Sequence, residues 1–249
     1  MEHFLSDNVR IAYQVEGAGD PIVLIHGFAS THGVNWVEPG WVDCLVEDGR
    51  QVIMLDLRGH GASEKLFDPA EYDRSAMARD VANLLQYLGL ERADVMGYSL
   101  GGVLALRLAV EVPSVCRRVI LAGVGNVMFA PSHTAEPVVQ SLLANTTREA
   151  TSAVGRAFRV FADKNGQNRQ ALAACYSTPR RVISPEEMKS VEMPLLVITG
   201  ERDVIAGAPG PLAAAMGNGE AFVIPKRDHM RAVGDAAYKT AVLEFLRRA

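Results

Sequence analysis

Cysteine is scarce. The chain of 249 residues holds three, Cys44, Cys116 and Cys175, odd in number and far apart. They form no CxxC pair and no disulfide framework, so they read as small buried hydrophobes in a reducing compartment. No apolar run reaches the roughly 18 residues that a membrane-spanning helix needs, so membrane insertion is not expected. Basic excess is missing too. Lys and Arg number 25 against 29 Asp and Glu, a net charge of −4, so nucleic acid is not expected as a partner. The opening MEHFLSDNVRIAYQ lacks a basic segment followed by an apolar stretch and does not read as a secretory signal; the expected location is the cytoplasm. No repeat is visible at periods of roughly 20 to 50 residues. Walker, HExxH and GxGxxG motifs are all absent, and no metal-ligand cluster stands out, so neither cofactor nor metal is expected. What remains is an ordinary globular composition, 49% hydrophobic and 22% charged. It suits one large domain or a core with an elaboration.

The start alternates polar and apolar residues. Val9, Ile11, Tyr13 and Val15 line one face, and with His3-Phe4-Leu5 and the turn Ser6-Asp7-Asn8 they predict an antiparallel hairpin. Short continuous apolar runs follow at 22–25, 52–55, 93–96, 119–122, 195–199 and 221–224. Continuous apolarity predicts strands buried on both faces, as in a parallel sheet. Helical patterns lie between them, including Met77/Val81/Leu84/Leu85/Leu88 and 103–110, with Val242/Phe245/Leu246 closing the chain. The fold class expected is α/β, a mostly parallel eight-stranded sheet flanked by helices. One interval breaks the rhythm: some 70 residues separate the run ending near Ala122 from the one starting near Leu195, too long for a plain crossover. It reads as several short helices, with Val154, Phe158 and Phe161 on one face. The expected organisation is a core at 1–126 and 194–249 with a helical cap at 127–193, inserted between strands six and seven.

The sharpest motif is Gly97-Tyr98-Ser99-Leu100-Gly101-Gly102, set between an apolar run and a helical stretch. Strand–GxSxG–helix is the pattern of a nucleophile elbow. Ser99 would sit in a strained turn, and glycines on either side would remove side chains that clash there. A serine hydroxyl needs a base, and a base needs an acid to orient it. Of six histidines, only His133 and His229 follow Ser99. His133 sits beside Pro131 early in the insertion and reads as a loop residue. His229 follows the last strand, at the carboxyl end where ligands bind in open α/β sheets. Asp203, in Gly200-Glu201-Arg202-Asp203, lies at the same end of the neighbouring strand and is the preferred acid. Glu201 and Asp228 are its competitors, and the equivalent position one strand earlier holds uncharged Asn126. Backbone N–H groups of Phe28 and Leu100 are the expected oxyanion donors. His26 and His60 read as scaffolding of their loops.

Five blocks in this order, HGF (26–28), DLRGHGAS (56–63), GYSLGG (97–102), GERD (200–203) and DH (228–229), resemble the α/β-hydrolase fold superfamily over essentially the whole chain. The resemblance implies Ser99, Asp203 and His229 as a triad, Phe28 and Leu100 as oxyanion donors, and a helical cap. The last block departs from the usual Gly-His. The extra carboxylate of Asp228 would favour a protonated imidazole and so bears on the pH optimum. A serine nucleophile sets the chain apart from relatives that use aspartate, the haloalkane dehalogenases and epoxide hydrolases, and there is no HGGG loop. The expected activity is serine-dependent cleavage of a small or medium carboxylic ester through an acyl-enzyme, with Leu142, Phe158 and Phe161 lining the pocket. One alternative is an enol-lactonase or carbon–carbon bond hydrolase of aromatic catabolism. The interval 127–193 carries eight Lys and Arg against six Asp and Glu, compatible with an anionic substrate. A second alternative is a slow-turnover ligand-binding receptor on the same fold. The expected partner is a small acyl substrate, and nothing in the sequence indicates oligomeric state.

Overall fold

A computed structural model describes residues 1–129, 135–179 and 181–248; His133 lies outside them. Eight strands form one sheet: β1 (Glu2–Ser6), β2 (Val9–Glu16), β3 (Asp20–Ile25), β4 (Arg50–Leu55), β5 (Ala93–Tyr98), β6 (Cys116–Ala122), β7 (Leu195–Gly200) and β8 (Gly219–Ile224). Their order across the sheet is β1-β2-β4-β3-β5-β6-β7-β8. β1 pairs antiparallel with β2, and β2 with β4; every later pairing is parallel. The hairpin expected at the start is present. Asp7 and Asn8 take φ of 47° and 68°, the two left-handed residues of a type I′ turn, whose twist matches that of the strands.

The helices described are α1 (Trp41–Glu47), α2 (Arg74–Tyr87), α3 (Leu100–Glu111), α4 (Glu136–Leu143), α5 (Ala153–Lys164), α6 (Arg169–Ser177), α7 (Pro185–Lys189), α8 (Gly210–Ala214) and α9 (Ala236–Leu246). Strand parity explains the continuous apolar runs. Val23, Ile25, Ile53 and Leu55 face α2 and α3 with Met77, Val81, Leu84 and Leu104. Their neighbours Ile22, Leu24, Val52 and Met54 face the opposite way, onto Trp41 and Leu45 of α1 and Tyr238, Val242 and Phe245 of α9. Successive side chains of a strand point to opposite faces, so a strand covered on both sides must be apolar throughout. The run at 221–224 departs from that reading. β8 is the edge strand, and Ala221 and Val223 are exposed.

The described part of the 70-residue interval holds α4 to α7. Leu142 is fully buried in the packing of its helices. Val154 does not join Phe158 and Phe161; it lies in the first turn of α5 and is exposed. The interval docks on the body through specific bonds. Gln167 Oε1 accepts from the Gly61 N–H at 3.0 Å, Thr178 Oγ1 donates to the Pro69 carbonyl at 2.8 Å, and Arg74 reaches the Cys175 carbonyl at 3.1 Å. Among the described residues, no helix is long and apolar enough to cross a membrane.

Charges are buried where strands and helices meet. Arg58 grips Asp80 with two bonds of 2.8 and 2.7 Å, and Ser6 Oγ donates to the same carboxylate at 2.6 Å. Both partners are nearly inaccessible. Removing one would strand the other in a low-dielectric interior. Asp80→Ala is therefore expected to cost about 3–5 kcal/mol of unfolding free energy by urea titration, and the apolar pair Arg58→Met/Asp80→Leu to recover most of it.

Candidate functional site

The site forms at the carboxyl ends of β3, β5, β7 and β8. Ser99 follows β5 with φ 54° and ψ −112°, a left-handed conformation that costs a non-glycine residue about 1–3 kcal/mol. Crowded backbone holds it there. A methyl on Gly97 would collide with the Gly101 carbonyl, and one on Gly101 with the carbonyl of Ile25. The Ser99 N–H donates to the Ala122 carbonyl at 2.7 Å, and its own carbonyl accepts from Val103 at 3.0 Å. Its hydroxyl makes no cap bond to α3, so the side chain of the predicted nucleophile is not spent on the helix.

His229 Nδ1 lies 2.8 Å from Asp203 Oδ2, and both residues are buried. Asp203 Oδ1 accepts from the N–H groups of Ile205 at 3.0 Å and Ala206 at 2.8 Å. These donors fix the carboxylate, and the carboxylate fixes the imidazole with its proton on Nδ1 and its lone pair on Nε2. The competing acids are engaged elsewhere. Asp228 accepts from the N–H groups of Met230 and Arg231, and Glu201 from that of Lys226. Asn126 Oδ1 accepts from the Ala208 N–H at 2.8 Å, so it braces the loop that carries Asp203.

The turn after β3 approaches the elbow closely. A Cβ on Gly27 would meet the Tyr98 carbonyl at 3.3 Å and Ser99 Cβ at 3.4 Å. Among the described residues, the N–H groups of Phe28 and Leu100 are committed to no other acceptor. Asn35, which the sequence reading missed, holds this turn by accepting from the Gly27 N–H at 3.0 Å. It lies in the π-helical turn Gly33–Val37. His26 ties the same turn to the next loop: Nδ1–H donates to the Gly27 carbonyl at 2.8 Å and Nε2 accepts from the Leu57 N–H at 3.0 Å. His60 packs edge-on against His26 and Phe28 at 5.2 and 5.8 Å.

The helical insertion reaches the site through aromatic rings. Phe158 of α5 and Tyr176 of α6 each meet the Phe28 ring edge-on, with centroids 5.1 Å away. Tyr176 was not singled out in the sequence. Phe161 instead borders a groove of about 770 Å³ that also includes Ala153, Arg156, Val160, Lys164 and Met230. Arg156 and Lys164 form no ion pair with a described residue. Leu142, also expected in the pocket, adds no accessible surface. Among the described residues, no group of three or more His, Cys, Asp or Glu is placed to hold a metal ion.

Burial holds the His60 imidazole neutral, with a pKa pushed down to about 3. The unfolded chain takes up that proton near the ordinary histidine value, so stability is complete above it and falls as pH drops from about 6.5 toward 3. The slope approaches about 1.4 kcal/mol per pH unit for this histidine alone. Urea unfolding at pH 7, 6 and 5 is expected to show the decline, and His60→Gln a shallower one.

Residues 20–181 match the α/β hydrolase fold family. The chain is 36% identical over 126 residues to 2-hydroxymuconate semialdehyde hydrolase of Pseudomonas sp. strain CF600, covering 50% of this chain and 44% of that protein. Other curated relatives, from mycobacteria, are matched over 33% of their length, so the chain aligns with less than half of each. A hydrolase structure from Pseudomonas aeruginosa superposes with a TM-score of 0.75 at 26% identity, covering 99% of this chain and 98% of that one. The enol-lactonase of Burkholderia xenovorans gives 0.76 at 22% identity, over 99% and 100%. The strand order, the strained serine turn and these matches agree: the chain belongs to the α/β hydrolase fold family.

Proposed function

We propose that the protein is a serine hydrolase that cleaves a small or medium carboxylic ester through an acyl-enzyme. The observation that carries this reading is the Asp203–His229 hydrogen bond beside a serine held at positive φ. His229 Nε2 takes the Ser99 proton as Oγ attacks the substrate carbonyl. The carbonyl π electrons move to oxygen, and the Phe28 and Leu100 N–H groups stabilise that charge; one such donor contributes about 3 kcal/mol. The tetrahedral adduct collapses, the C–O bond breaks, and the imidazolium protonates the departing alkoxide. Water then repeats the sequence on the acyl-enzyme, with His229 again as base, and releases the acid and free Ser99. Phe28, Phe158 and Tyr176 line the acyl side in this reading. Their rings suit a short chain.

A p-nitrophenyl ester series from acetate to palmitate tests it. Turnover is expected to peak at short or medium acyl chains. Ser99→Ala is expected to lower kcat by about 10³-fold or more, and Asp203→Asn by about 10⁴-fold, with folding intact. A fall below about 100-fold in Ser99→Ala would remove the nucleophile assignment. An initial burst with no steady turnover would favour the receptor reading.

The groove beside Met230 favours a second reading within the same chemistry. Its surface is largely apolar, and Arg156 and Lys164, which form no ion pair with a described residue, stand on it. That combination suits a substrate with an apolar body and a carboxylate, as an enol-lactone or a C–C cleavage substrate of aromatic catabolism would have. Similarity to proteins named for those reactions supports it. On this reading, Arg156→Ala/Lys164→Ala raises KM about fivefold or more for a mono-p-nitrophenyl dicarboxylate. It leaves the neutral ester of equal length unchanged, and added salt narrows the difference.

A further inference from the structure

Tyr98, the residue just before Ser99, is buried and spans two loops that the strands alone do not join. Its phenol O–H donates to the backbone carbonyl of His229. Its ring lies against the His229 imidazole, with centroids 5.4 Å apart at 47°. The Tyr238 ring of α9 lies 6.5 Å from it, and Tyr98 is packed in the same buried cluster, so the phenol cannot swing away without unpacking the core. Burial, with the charges of Asp203 and Asp228, pushes the phenol far above its ordinary pKa. It remains an O–H donor across the working pH range.

Gly123 completes the arrangement. It follows β6 at φ 64°, its N–H donates to the Ile198 carbonyl at 2.8 Å, and a Cβ there would lie 3.1 Å from both His229 Cε1 and Tyr98 Cζ. The two rings therefore close over a backbone position where a side chain would push them apart. Asp203 orients the imidazole about its Nδ1 edge. It does not by itself set the height of the His229 backbone above the sheet, because residue 229 sits in a loop after the exposed edge strand β8.

We propose that Tyr98 is a positioning residue: it fixes His229 relative to Ser99 by hydrogen-bonding the His229 carbonyl and packing on its ring, with Gly123 leaving room for that contact. The elbow thus carries its own gauge for the base, one residue from the nucleophile. The inference rests on the triad reading above. A small displacement of a reacting group lowers the rate without weakening binding, so the effect falls on kcat.

Tyr98→Phe keeps the ring and deletes the bond to the carbonyl; Tyr98→Leu deletes both. Assayed on a p-nitrophenyl ester well below each melting temperature, Tyr98→Phe is expected to lose about fivefold in kcat and Tyr98→Leu about 50-fold, with KM within about twofold of wild type. Labelling of Ser99 by a fluorophosphonate is expected to slow in the same order, and the downfield proton resonance of His229 Nδ1–H to shift in Tyr98→Phe. Gly123→Ala is expected to mimic Tyr98→Leu. If both Tyr98 variants keep kcat within twofold and the His229 resonance does not move, the positioning role is overturned while the triad reading stands. A rise in KM at constant kcat overturns it equally, because Tyr98 would then be a binding residue. A wild-type protein that neither turns over esters nor is labelled at Ser99 overturns the triad reading, and this inference falls with it.

Discussion

The site depends on backbone packed against backbone at the end of β5. Gly101 presses on the carbonyl of Ile25, and Gly97 on that of Gly101. β3 and β5 are hydrogen-bonded neighbours, paired from Ile22↔Asp94 to Ile25↔Gly97. The first turn of α3 can approach them only where side chains are missing. That approach does two things together. It forces Ser99 into the left-handed region, which turns the hydroxyl out of the helix, and it brings the turn after β3 against Ser99. Gly27 therefore lies against the serine because the two strands are adjacent and the glycines let the helix close on them.

The proposed base and its acid obey a looser constraint. Asp203 and His229 hang on loops beyond β7 and β8, near the sheet edge, where fewer strands support them. Compensation comes from local bonds. Asp203 is held by two amides of its own loop, and that loop is held by Asn126 from the end of β6. Tyr98 and Gly123 fasten His229 from the interior side. Asp203 is thus secured from the neighbouring strand end, and His229 from the ends of β5 and β6 farther inside the sheet.

Features set by local pattern were legible in the sequence. Glycine spacing around Ser99, the hairpin turn at Asp7-Asn8 and the doubly covered strands all follow from residues close in the chain. The edge position of β8 was not legible, because apolar residues there resemble those of an interior strand. Neither were the contacts of Asn35, which reaches back to Gly27, or of Tyr98, Asn126 and Tyr176, which act on residues far away in the chain through one side-chain atom or ring. Composition and periodicity carry no trace of such contacts. Val154 shows the limit of helical spacing: it shares a face with Phe158 on paper, but α5 begins at Ala153 and leaves it outside the packed turns.

At the opposite pole of the sheet, the inaccessible Asp94 carboxylate gathers Arg50 at 3.0 Å and Arg117 at 2.8 Å, with Arg118 farther out at 3.6 Å. Arg50 also holds the Leu246 carbonyl of α9 at 3.1 Å. The chain's last helix is thereby clamped to the amino ends of β4 and β5 by ionic contacts that take no part in the chemistry. The two poles are held differently, by a cluster of arginines on one buried carboxylate at this end and, around Ser99, by backbone packed on backbone at the other. A molecule divided this way can exchange the lining of its pocket, residue by residue, while its anchoring pole stays unaltered. That separation lets one scaffold host many substrates.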